Sequence, residues 1–451
     1  MSRPSTPIVA IVGRANVGKS SLYNAILGRR EAVTAKEAGT TRDSISSRLA
    51  LGDREFWLVD TAGLKTAADD FEASIQQQVT QAAESADVIW VVVDASGGID
   101  VNDRRVAKLA LKTKKPVILV VNKADRPGVW DLQNWKKLGI KQIIATSATQ
   151  KAGLGELLES TLPILPNLRA KQTANHIAVA IVGRPNVGKS ALFNTLGSKQ
   201  QALVSERAGT TRDVNRLAIN YHGHSIEFAD TAGIRRSGKI DRGVEQFSVL
   251  RSLLAIEQSQ IAILVVSAEE LNVALDQKIA GLVKTAGRGL IIVVNKWDLS
   301  EEYGLSRSVA TATLASNFTF TPWASLVFVS ATLGTNVAKI YELVVDIAKT
   351  QSQRIDEDQL NEWLQAAVTK HPPAGQGRFQ PTLKNMVQES DQASPSFQIT
   401  GHHATKIHFS YKRYLERSFR FRWPFEGTPI KFWLIDNGSK KRRSTGRRNQ
   451  P

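Results

Sequence analysis

Short, continuous apolar runs occur along much of the chain, for example residues 8–12, 88–93 and 116–121. An uninterrupted apolar run of this length is typical of a strand that is buried on both faces. Segments with helical spacing of apolar residues, such as residues 22–27, separate the runs. Alternating strands and helices predict an α/β fold, with a mostly parallel sheet and helices on both faces. The loops after the strands then meet at one edge of the sheet, where ligands bind.

This pattern occurs twice in register. Gly13 and Gly183 are 170 positions apart, and so are Asp60 and Asp230. A repeat of this length indicates a whole duplicated domain rather than a solenoid unit. We therefore predict two tandem domains and a short, proline-containing linker between them. Their predicted bounds are residues 1–162, 163–175 for the linker, and 176–350.

The rest of the chain follows a different pattern. Segments with helix or strand periodicity lie at residues 356–368, 383–387, 397–400, 411–420 and 428–435. The order helix, strand, strand, helix, strand resembles a KH-like RNA-binding module, and we predict a small α+β domain at residues 351–438. The G-x-x-G loop, which clamps the nucleic-acid backbone in ordinary KH domains, is absent from the sequence. The surface of this small domain is therefore expected either to pack against another domain or to bind structured RNA through charge.

The chain is strongly basic, with a formal net charge of +17 and a pI near 9.9. Residues 351–451 hold 17 Lys and Arg against 9 Asp and Glu, and residues 439–451 predict a disordered basic tail. Such a balance favours a polyanionic partner. Charge by itself leaves RNA, DNA and anionic lipid open.

Composition excludes several kinds of chemistry. The chain has no cysteine, which rules out disulfides, thiol nucleophiles and zinc fingers and suits a reducing cytoplasm. No apolar run approaches the roughly 18 residues that a membrane span requires. Residues 1–7 lead directly into a buried strand, so we expect no signal peptide there.

A glycine loop follows the first strand of each repeat and fits G-x-x-x-x-G-K-[ST], the phosphate-binding loop. Glycines let backbone N–H groups approach phosphate oxygens closely. Lys19 and Lys189 are expected to reach the β- and γ-phosphates, and Ser20 and Ser190 to hold Mg²⁺. The two loops read Gly13-Arg14-Ala15-Asn16-Val17-Gly18-Lys19-Ser20 and Gly183-Arg184-Pro185-Asn186-Val187-Gly188-Lys189-Ser190.

Two further segments of each repeat are expected to sense the γ-phosphate. Thr41 and Thr211 lie in polar loops, where a threonine can bind Mg²⁺ and the γ-phosphate. A D-x-x-G segment then supplies a metal-binding carboxylate and a glycine N–H for the γ-phosphate. These segments, with the residue that follows each, are Asp60-Thr61-Ala62-Gly63-Leu64 and Asp230-Thr231-Ala232-Gly233-Ile234. The predicted catalytic residues are Lys19, Thr41, Asp60, Gly63, Lys189, Thr211, Asp230 and Gly233.

The last two motifs of each repeat select the base. A carboxylate that accepts hydrogen bonds from guanine N1–H and its exocyclic amine discriminates against adenine. The asparagine adds a bond to the purine, and the lysine stem covers a ring face. These motifs are Asn122-Lys123-Ala124-Asp125 with Ser147-Ala148, and Asn295-Lys296-Trp297-Asp298 with Ser330-Ala331. Asp125 and Asp298 thus exclude an ATP-dependent kinase or helicase. Asp94, which ends a strand, aligns with Ser267, and we assign that exchange no catalytic cost.

The ordered motif set is similar to the translation-factor class of P-loop GTPases. With a KH-like end, the chain resembles the Der (EngA) family of double Era-like GTPases over residues 8–436. Its departures from that family are Ala15, Ala62 and Asn336. The resemblance implies GTP hydrolysis with GTP/GDP and Mg²⁺, and a role in assembly of the large ribosomal subunit and its rRNA. It further implies a monomeric protein without a membrane span, cytoplasmic and partly ribosome-associated.

The mechanism leaves one alternative open. Ras-like enzymes place a water-orienting glutamine after D-x-x-G, whereas Leu64 and Ile234 cannot orient water. The resemblance implies that Asn16 and Asn186 hold K⁺, whose charge replaces an arginine finger. A supplied positive charge is worth about 10³–10⁵ in rate. The alternative is a nucleotide-gated RNA-binding scaffold with negligible hydrolysis. A tRNA-modification GTPase is disfavoured, because that family has one G domain and usually a C-terminal cysteine.

Overall fold

The computed structural model describes most of the chain. The described residues are 6–29, 33–34, 46–52, 54–60, 79, 82, 86–125, 132–166, 176–198, 215–230, 252–373, 380–390 and 394–437. Within them the strands form three sheets, one in each of three units. Two sheets are mostly parallel and one is small, which confirms the predicted fold class. The boundaries of the three domains stay predictions, and the one placed at residue 350 falls inside a helix, Lys339–Ser352.

The first unit contains four described helices and a sheet of seven described strands. The strands are β1 (Ile8–Val12), β2 (Val33–Thr34), β3 (Ser46–Leu51), β4 (Arg54–Asp60), β5 (Val88–Asp94), β6 (Val117–Asn122) and β7 (Gln142–Ala145). The helices are α1 (Lys19–Leu27), α2 (Val101–Lys112), α3 (Leu132–Trp135) and α4 (Leu154–Thr161). The strand order is β2-β3-β4-β1-β5-β6-β7. Only the pairs β2–β3 and β3–β4 are antiparallel among these strands.

The second unit repeats this plan. Its described strands are β8 (Ile177–Val182), β9 (Asn215–Tyr221), β10 (His224–Asp230), β11 (Ile261–Ser267), β12 (Gly289–Asn295) and β13 (Ser325–Phe328). Its helices are α5 (Lys189–Ser198), α6 (Ala274–Ala286), α7 (Arg307–Asn317) and α8 (Lys339–Ser352), with a further helical segment at residues 252–258. The order is β13-β12-β11-β8-β10-β9, in which β9 is the antiparallel edge of the described sheet.

Helices cover both faces of these sheets, as alternation along β1 illustrates. Ile8, Ala10 and Val12 enter one core, which contains Val106 of α2. Val9 and Ile11 enter the other core, which includes side chains of α1 and α4. All seven residues of β5 and all seven of β11 are buried. The continuous apolar runs therefore are strands enclosed on two sides, as their patterns predicted.

The third unit has the predicted order of elements. It comprises α9 (Glu357–Lys370), β14 (Thr382–Gln388), β15 (Ser396–His402), α10 (Phe409–Arg422) and β16 (Lys431–Asp436). Aromatic rings fill its core; the Phe397 and Phe419 ring centroids, for example, are 4.7 Å apart. β16 begins three residues later than predicted, at Lys431, which pairs with Ser396 at the start of β15. No helix in the described ranges is both long and apolar enough to cross a membrane.

The second unit packs against both others through the edge opposite its glycine loop. On one side Gly427 of the third unit accepts a hydrogen bond from the Leu290 N–H (2.8 Å) and donates one to the Trp323 carbonyl oxygen (2.6 Å). On the other side Glu257, at the end of the helical segment 252–258, reaches the first unit. Its carboxylate accepts bonds from the Trp57 indole N–H (2.7 Å) and the Thr6 N–H (3.2 Å).

Arg288 pairs with the same carboxylate at 3.1 Å, and both side chains are almost completely buried. Removing one member of a buried ion pair leaves the other charge unpaired, which costs about 3–5 kcal/mol. We therefore expect Glu257→Ala to lower the calorimetric melting temperature of the full chain markedly. The double variant Glu257→Leu/Arg288→Leu should be less damaging, because it leaves no buried charge.

Glu301→Ala is the matched control, since Glu301 is an exposed carboxylate of the same unit. Equal melting temperatures for Glu257→Ala and this control would contradict a structural role for the buried carboxylate.

Candidate nucleotide-binding sites

In each unit the glycine loop lies between the first strand and the first helix, at the carboxyl edge of the parallel strands. Gly18 adopts φ +90°, and its counterpart Gly188 adopts φ +94°. A Cβ atom at Gly18 would collide with the side-chain amide of Asn122, and one at Gly13 with the Val92 carbonyl oxygen. Only glycine permits this close approach of backbone to neighbouring strands. The loop is therefore a tight cradle suited to phosphate oxygens.

The loop lysine lies at the centre of the cradle. In the first unit the Lys19 ammonium donates to the carbonyl oxygens of Gly13 (2.6 Å) and Arg14 (2.5 Å), and its side chain is buried. In the second unit Lys189 donates to the carbonyl oxygen of Arg184 at 2.7 Å. A cation held within the glycine loop complements an anionic ligand that binds there.

A hydroxyl and a carboxylate adjoin each lysine. Ser20 donates to Asp60 at 2.6 Å, and Ser190 donates to Asp230 at 3.3 Å. Hard oxygen ligands of this kind suit Mg²⁺, which takes one or two protein ligands together with phosphate and water. Among the described residues no cluster of three His, Cys, Asp or Glu side chains suits a metal ion. The serine–aspartate pair alone therefore has the donor chemistry that suits Mg²⁺.

The buried asparagine of the N-K-x-D motif joins three parts of the site. The Asn122 amide nitrogen donates to the Val17 carbonyl oxygen (2.9 Å), and its amide oxygen accepts from the Ala148 N–H (3.1 Å). In the second unit Asn295 makes the same two bonds, to Val187 and from Ala331, both at 2.9 Å. The glycine loop, this motif and the last loop are thereby held together.

Asp125 and Asp298, which are expected to bind guanine, are exposed at the same edge of the two sheets. Ser147 and Ser330 have a local role, since their hydroxyls accept N–H bonds from Gln150 (3.0 Å) and Leu333 (3.1 Å). They shape the turns that carry Ala148 and Ala331. Of the family departures, Ala15 lies in the described loop, and Asn336 (φ +59°) donates to the Phe328 carbonyl oxygen at 3.1 Å.

Several predicted site residues lie outside the described ranges, so their roles stay predictions. They are Thr41, Thr61, Ala62, Gly63, Leu64, Thr211, Thr231, Ala232, Gly233 and Ile234. Asn16 and Asn186, expected to hold K⁺, are both described. Each adopts a left-handed φ of +64° and exposes its side chain.

The lysine of each N-K-x-D motif has a carboxylate partner that the sequence analysis did not identify. In the first unit Lys123 donates to Asp94 (2.5 Å) and to the Asn16 carbonyl oxygen (2.9 Å). In the second unit Lys296 donates to Glu269 at 2.6 Å. The repeats read Asp94-Ala95-Ser96 and Ser267-Ala268-Glu269. The carboxylate and the serine have thus exchanged places, two residues apart, and each serine hydroxyl still bonds the carboxylate.

These contacts shift the acidity of both carboxyl groups. Burial opposes ionisation of Asp94, but the hydrogen bonds from Lys123 and Ser96 outweigh it and lower the pKa of Asp94. The hydrogen bond from Lys296, and then that from Ser267, lowers the pKa of Glu269. Both carboxylates are therefore ionised at neutral pH and hold the lysine stem in place.

Sequence reasoning also missed a buried aspartate behind each glycine loop. Arg14 pairs with Asp103 at 3.2 Å, and Arg184 pairs with Asp276 at 3.3 Å. Burial raises the pKa of Asp276 to about 6, an effect that the Arg184 charge partly offsets. Arg184 also pairs with the exposed Glu270 at 3.0 Å. The recurrence of aspartate at both positions, 173 residues apart, was the available signal.

Comparisons with known proteins agree with this arrangement. The family described as "50S ribosome-binding GTPase" matches residues 8–123 and 178–296, and "KH-domain-like of EngA bacterial GTPase enzymes, C-terminal" matches residues 354–434. The GTPase Der of Herpetosiphon aurantiacus is 40% identical over 436 residues, which cover 94% of this chain and 95% of that protein. The GTPase Der of Lachnospira eligens is 39% identical over 436 residues, covering 95% and 98%.

Among solved structures, Era of Aquifex aeolicus bound to GDP·AlF4⁻ is 19% identical with a TM-score of 0.30. The match covers 58% of this chain and 93% of that chain.

We expect Asp94→Ala and Glu269→Ala each to weaken guanine-nucleotide binding at its own site. Loss of a charge-assisted bond releases the lysine stem, at a cost of about 1 kcal/mol, or roughly fivefold in Kd. Titration with a fluorescent GDP measures this, with Lys189→Ala present to silence the second site and Lys19→Ala to silence the first.

The matched control is Asp94→Ser/Ser96→Glu, which transplants the second unit's arrangement into the first. It should bind GDP nearly as well as the parent. Weak binding by this exchange variant, or unchanged binding by both alanine variants, would contradict the assigned role.

Proposed function

The chain belongs to the GTPase Der family, and from that membership we propose that it acts as a GTP-driven switch in assembly of the large ribosomal subunit. As a member of this family it binds guanine nucleotides and hydrolyses GTP to GDP and phosphate. We propose that its partners are the large subunit and its rRNA, and that it works in the cytoplasm as a monomer, partly ribosome-associated.

The observation that carries this proposal is the presence of two similar phosphate cradles in one chain. Each has a central lysine, a serine–aspartate pair and a buried asparagine, at the carboxyl edge of a parallel sheet. The edge opposite the second cradle contacts both neighbouring units. In the proposed switch, nucleotide-dependent changes at the cradles alter how the three units pack through these contacts.

In the proposed reaction this chain's groups bind and polarise the triphosphate of GTP. Lys19 and Lys189 neutralise the β- and γ-phosphates, and the loop N–H groups cradle them. When bound by Ser20 and Asp60, or by Ser190 and Asp230, Mg²⁺ supplies charge neutralisation at the phosphates. Thr41 with Gly63, and Thr211 with Gly233, contact the γ-phosphate and are released once it leaves.

Water activation needs a further charge, because neither Leu64 nor Ile234 can orient a water molecule. We propose that Asn16 and Asn186 hold K⁺ beside the phosphates. Their exposed side chains at the rim of each cradle support this assignment. The second candidate function, an RNA-binding scaffold with negligible hydrolysis of its own, follows if no such cation acts.

The ribosomal partner is supported by the family description, which names 50S ribosome-binding GTPases, and by the charge of +17. Exposed basic side chains along α10, including Lys412, Arg413 and Arg417, add positive surface in the third unit. Affinity for a phosphate backbone that rests on such side chains falls steeply with salt.

We expect Lys19→Ala and Lys189→Ala each to reduce bound GDP from two equivalents to one. The double variant should bind no nucleotide measurably and lose GTP turnover, because neither cradle retains its cation. Equilibrium dialysis with GDP and phosphate release from GTP measure the two quantities. Lys278→Ala, an exposed lysine distant in sequence from both loops, is the control. Persisting turnover in the double variant would overturn the proposal.

Turnover in K⁺ against Na⁺, with and without large ribosomal particles, separates the two candidate functions. Stimulation by K⁺ or particles supports the switch, whereas negligible turnover under every condition supports the scaffold. Co-sedimentation with large ribosomal particles under a GTP analogue, under GDP and without nucleotide tests the partner. Equal sedimentation in all three states would contradict nucleotide-controlled docking.

A further inference from the structure

A basic groove lies on the surface of the first unit, between α2 and the turn that follows α3. It has a volume of about 450 Å³ and is lined by Arg104, Lys108, Leu111, Lys112, Lys137 and Leu138. Neither candidate nucleotide site includes any of these residues. The groove thus is a separate feature of the molecule.

Helix α2 presents three of these cations in one row. Arg104, Lys108 and Lys112 are four residues apart, so they share a face and follow one another at about 6 Å of rise. All three are exposed, while Val106 and Ala110 on the other face are buried. A capping box between Asp100 and Asp103 secures the start of the helix. The row is therefore mounted on a well-anchored element.

The four cations of the groove form no ion pair with any described carboxylate. Lys137, the fourth, donates only to the side-chain oxygen of Asn134, at 3.0 Å, among described groups. Leu111 is 43% exposed and supplies an apolar patch beside the charges. Four like charges around one depression repel one another, and an anionic ligand relieves that repulsion.

The duplicated unit offers an internal comparison. The positions of Arg104, Lys108 and Lys112 correspond to Gln277, Gly281 and Thr285 of α6, all neutral. The carbonyl oxygen of Thr285 accepts a long bond of 3.4 Å from Arg48 of the first unit. This end of α6 contacts a neighbouring unit, whereas α2 keeps a row of cations exposed. The cation row is not a general requirement of the fold.

We propose that this groove holds the phosphate backbone of structured RNA. An evenly spaced row of cations matches the regular charges of a nucleic-acid strand, whereas the acidic side chains of a peptide have no fixed spacing. The groove is lined by no aromatic ring on which a base can stack and no amide or carboxylate that reads base edges. Binding is therefore independent of sequence. The proposal rests on the proposed function only for the source of the RNA.

The test uses the full chain and a fluorescent RNA hairpin of ordinary sequence, titrated at several salt concentrations with GDP present. We expect Arg104→Gln/Lys108→Gln/Lys112→Gln to bind about tenfold more weakly at moderate salt. The slope of log K against log salt should fall by roughly 2, because each lost phosphate contact removes somewhat under one unit.

The matched control is Lys278→Gln/Lys339→Gln/Lys349→Gln, which removes the same charge from exposed positions of the second unit. It should keep at least most of the parent's affinity and slope. An equal loss of RNA affinity in both triple variants would show that only net charge matters and would contradict the proposal. Unchanged binding by the first triple variant would also overturn it.

A poly-glutamate competitor tests the acidic-peptide alternative. If it displaces RNA from the parent more effectively than unlabelled hairpin does, the groove is a peptide site and the proposal fails. The tests of groove and switch are separable. If the groove triple variant binds GDP normally but loses hairpin binding, the groove is supported even when the parent fails to sediment with ribosomal particles. Nucleotide-dependent sedimentation with unchanged hairpin binding supports the switch alone.

Discussion

Both nucleotide sites depend on one buried asparagine, at the end of β6 in the first unit and of β12 in the second. Asn122 and Asn295 donate to a glycine-loop carbonyl and accept an N–H from the last loop. The side-chain amide uses both its donor and its acceptor in a buried position, where leaving either group without a hydrogen bond would cost free energy. Because Gly18 approaches the Asn122 amide so closely, the loop has little room to shift. The glycine loop, the N-K-x-D motif and the last loop are therefore parts of one hydrogen-bonded framework.

The duplication preserved this framework and let its surroundings diverge. The carboxylate that pairs with the lysine of the N-K-x-D motif comes from Asp94 in one unit and Glu269 in the other, yet the contact survives. The helices after those carboxylates have diverged further. One carries the row Arg104, Lys108 and Lys112 on its outer face, and the other has neutral residues at the same positions. Two copies of one fold thus present a shared chemistry and different surfaces.

The edge opposite the second nucleotide site is where the units meet. There Glu257 joins Arg288 to the Trp57 indole of the first unit, three residues before Asp60 on β4. The same edge carries the bonds between Gly427 and the second unit. A buried charge in such a contact confers little net stability but strongly penalises rearrangements that leave it unpaired. The second unit is therefore the element through which the other two are connected.

Much of this architecture was predictable, because it follows from short-range patterns. Continuous apolar runs such as that of β5 identify strands with two buried faces, and the repeated motifs identify two phosphate cradles. The order of elements in the third unit followed in the same way, although β16 begins later than predicted, where β15 begins. The features that the sequence did not predict are mostly contacts between residues that are distant along the chain.

The sequence by itself therefore determined the duplication, the fold class and the residue types at each phosphate cradle, since these depend on local periodicity and on motifs of fixed spacing. Only the tertiary structure decided three contacts. Glu269 pairs with Lys296 as Asp94 pairs with Lys123, Asp103 and Asp276 pair with the loop arginines, and Glu257 lies between two units. Spatial proximity of side chains depends on how strands and helices pack, and a linear pattern does not encode which exposed or buried carboxylate will meet which cation.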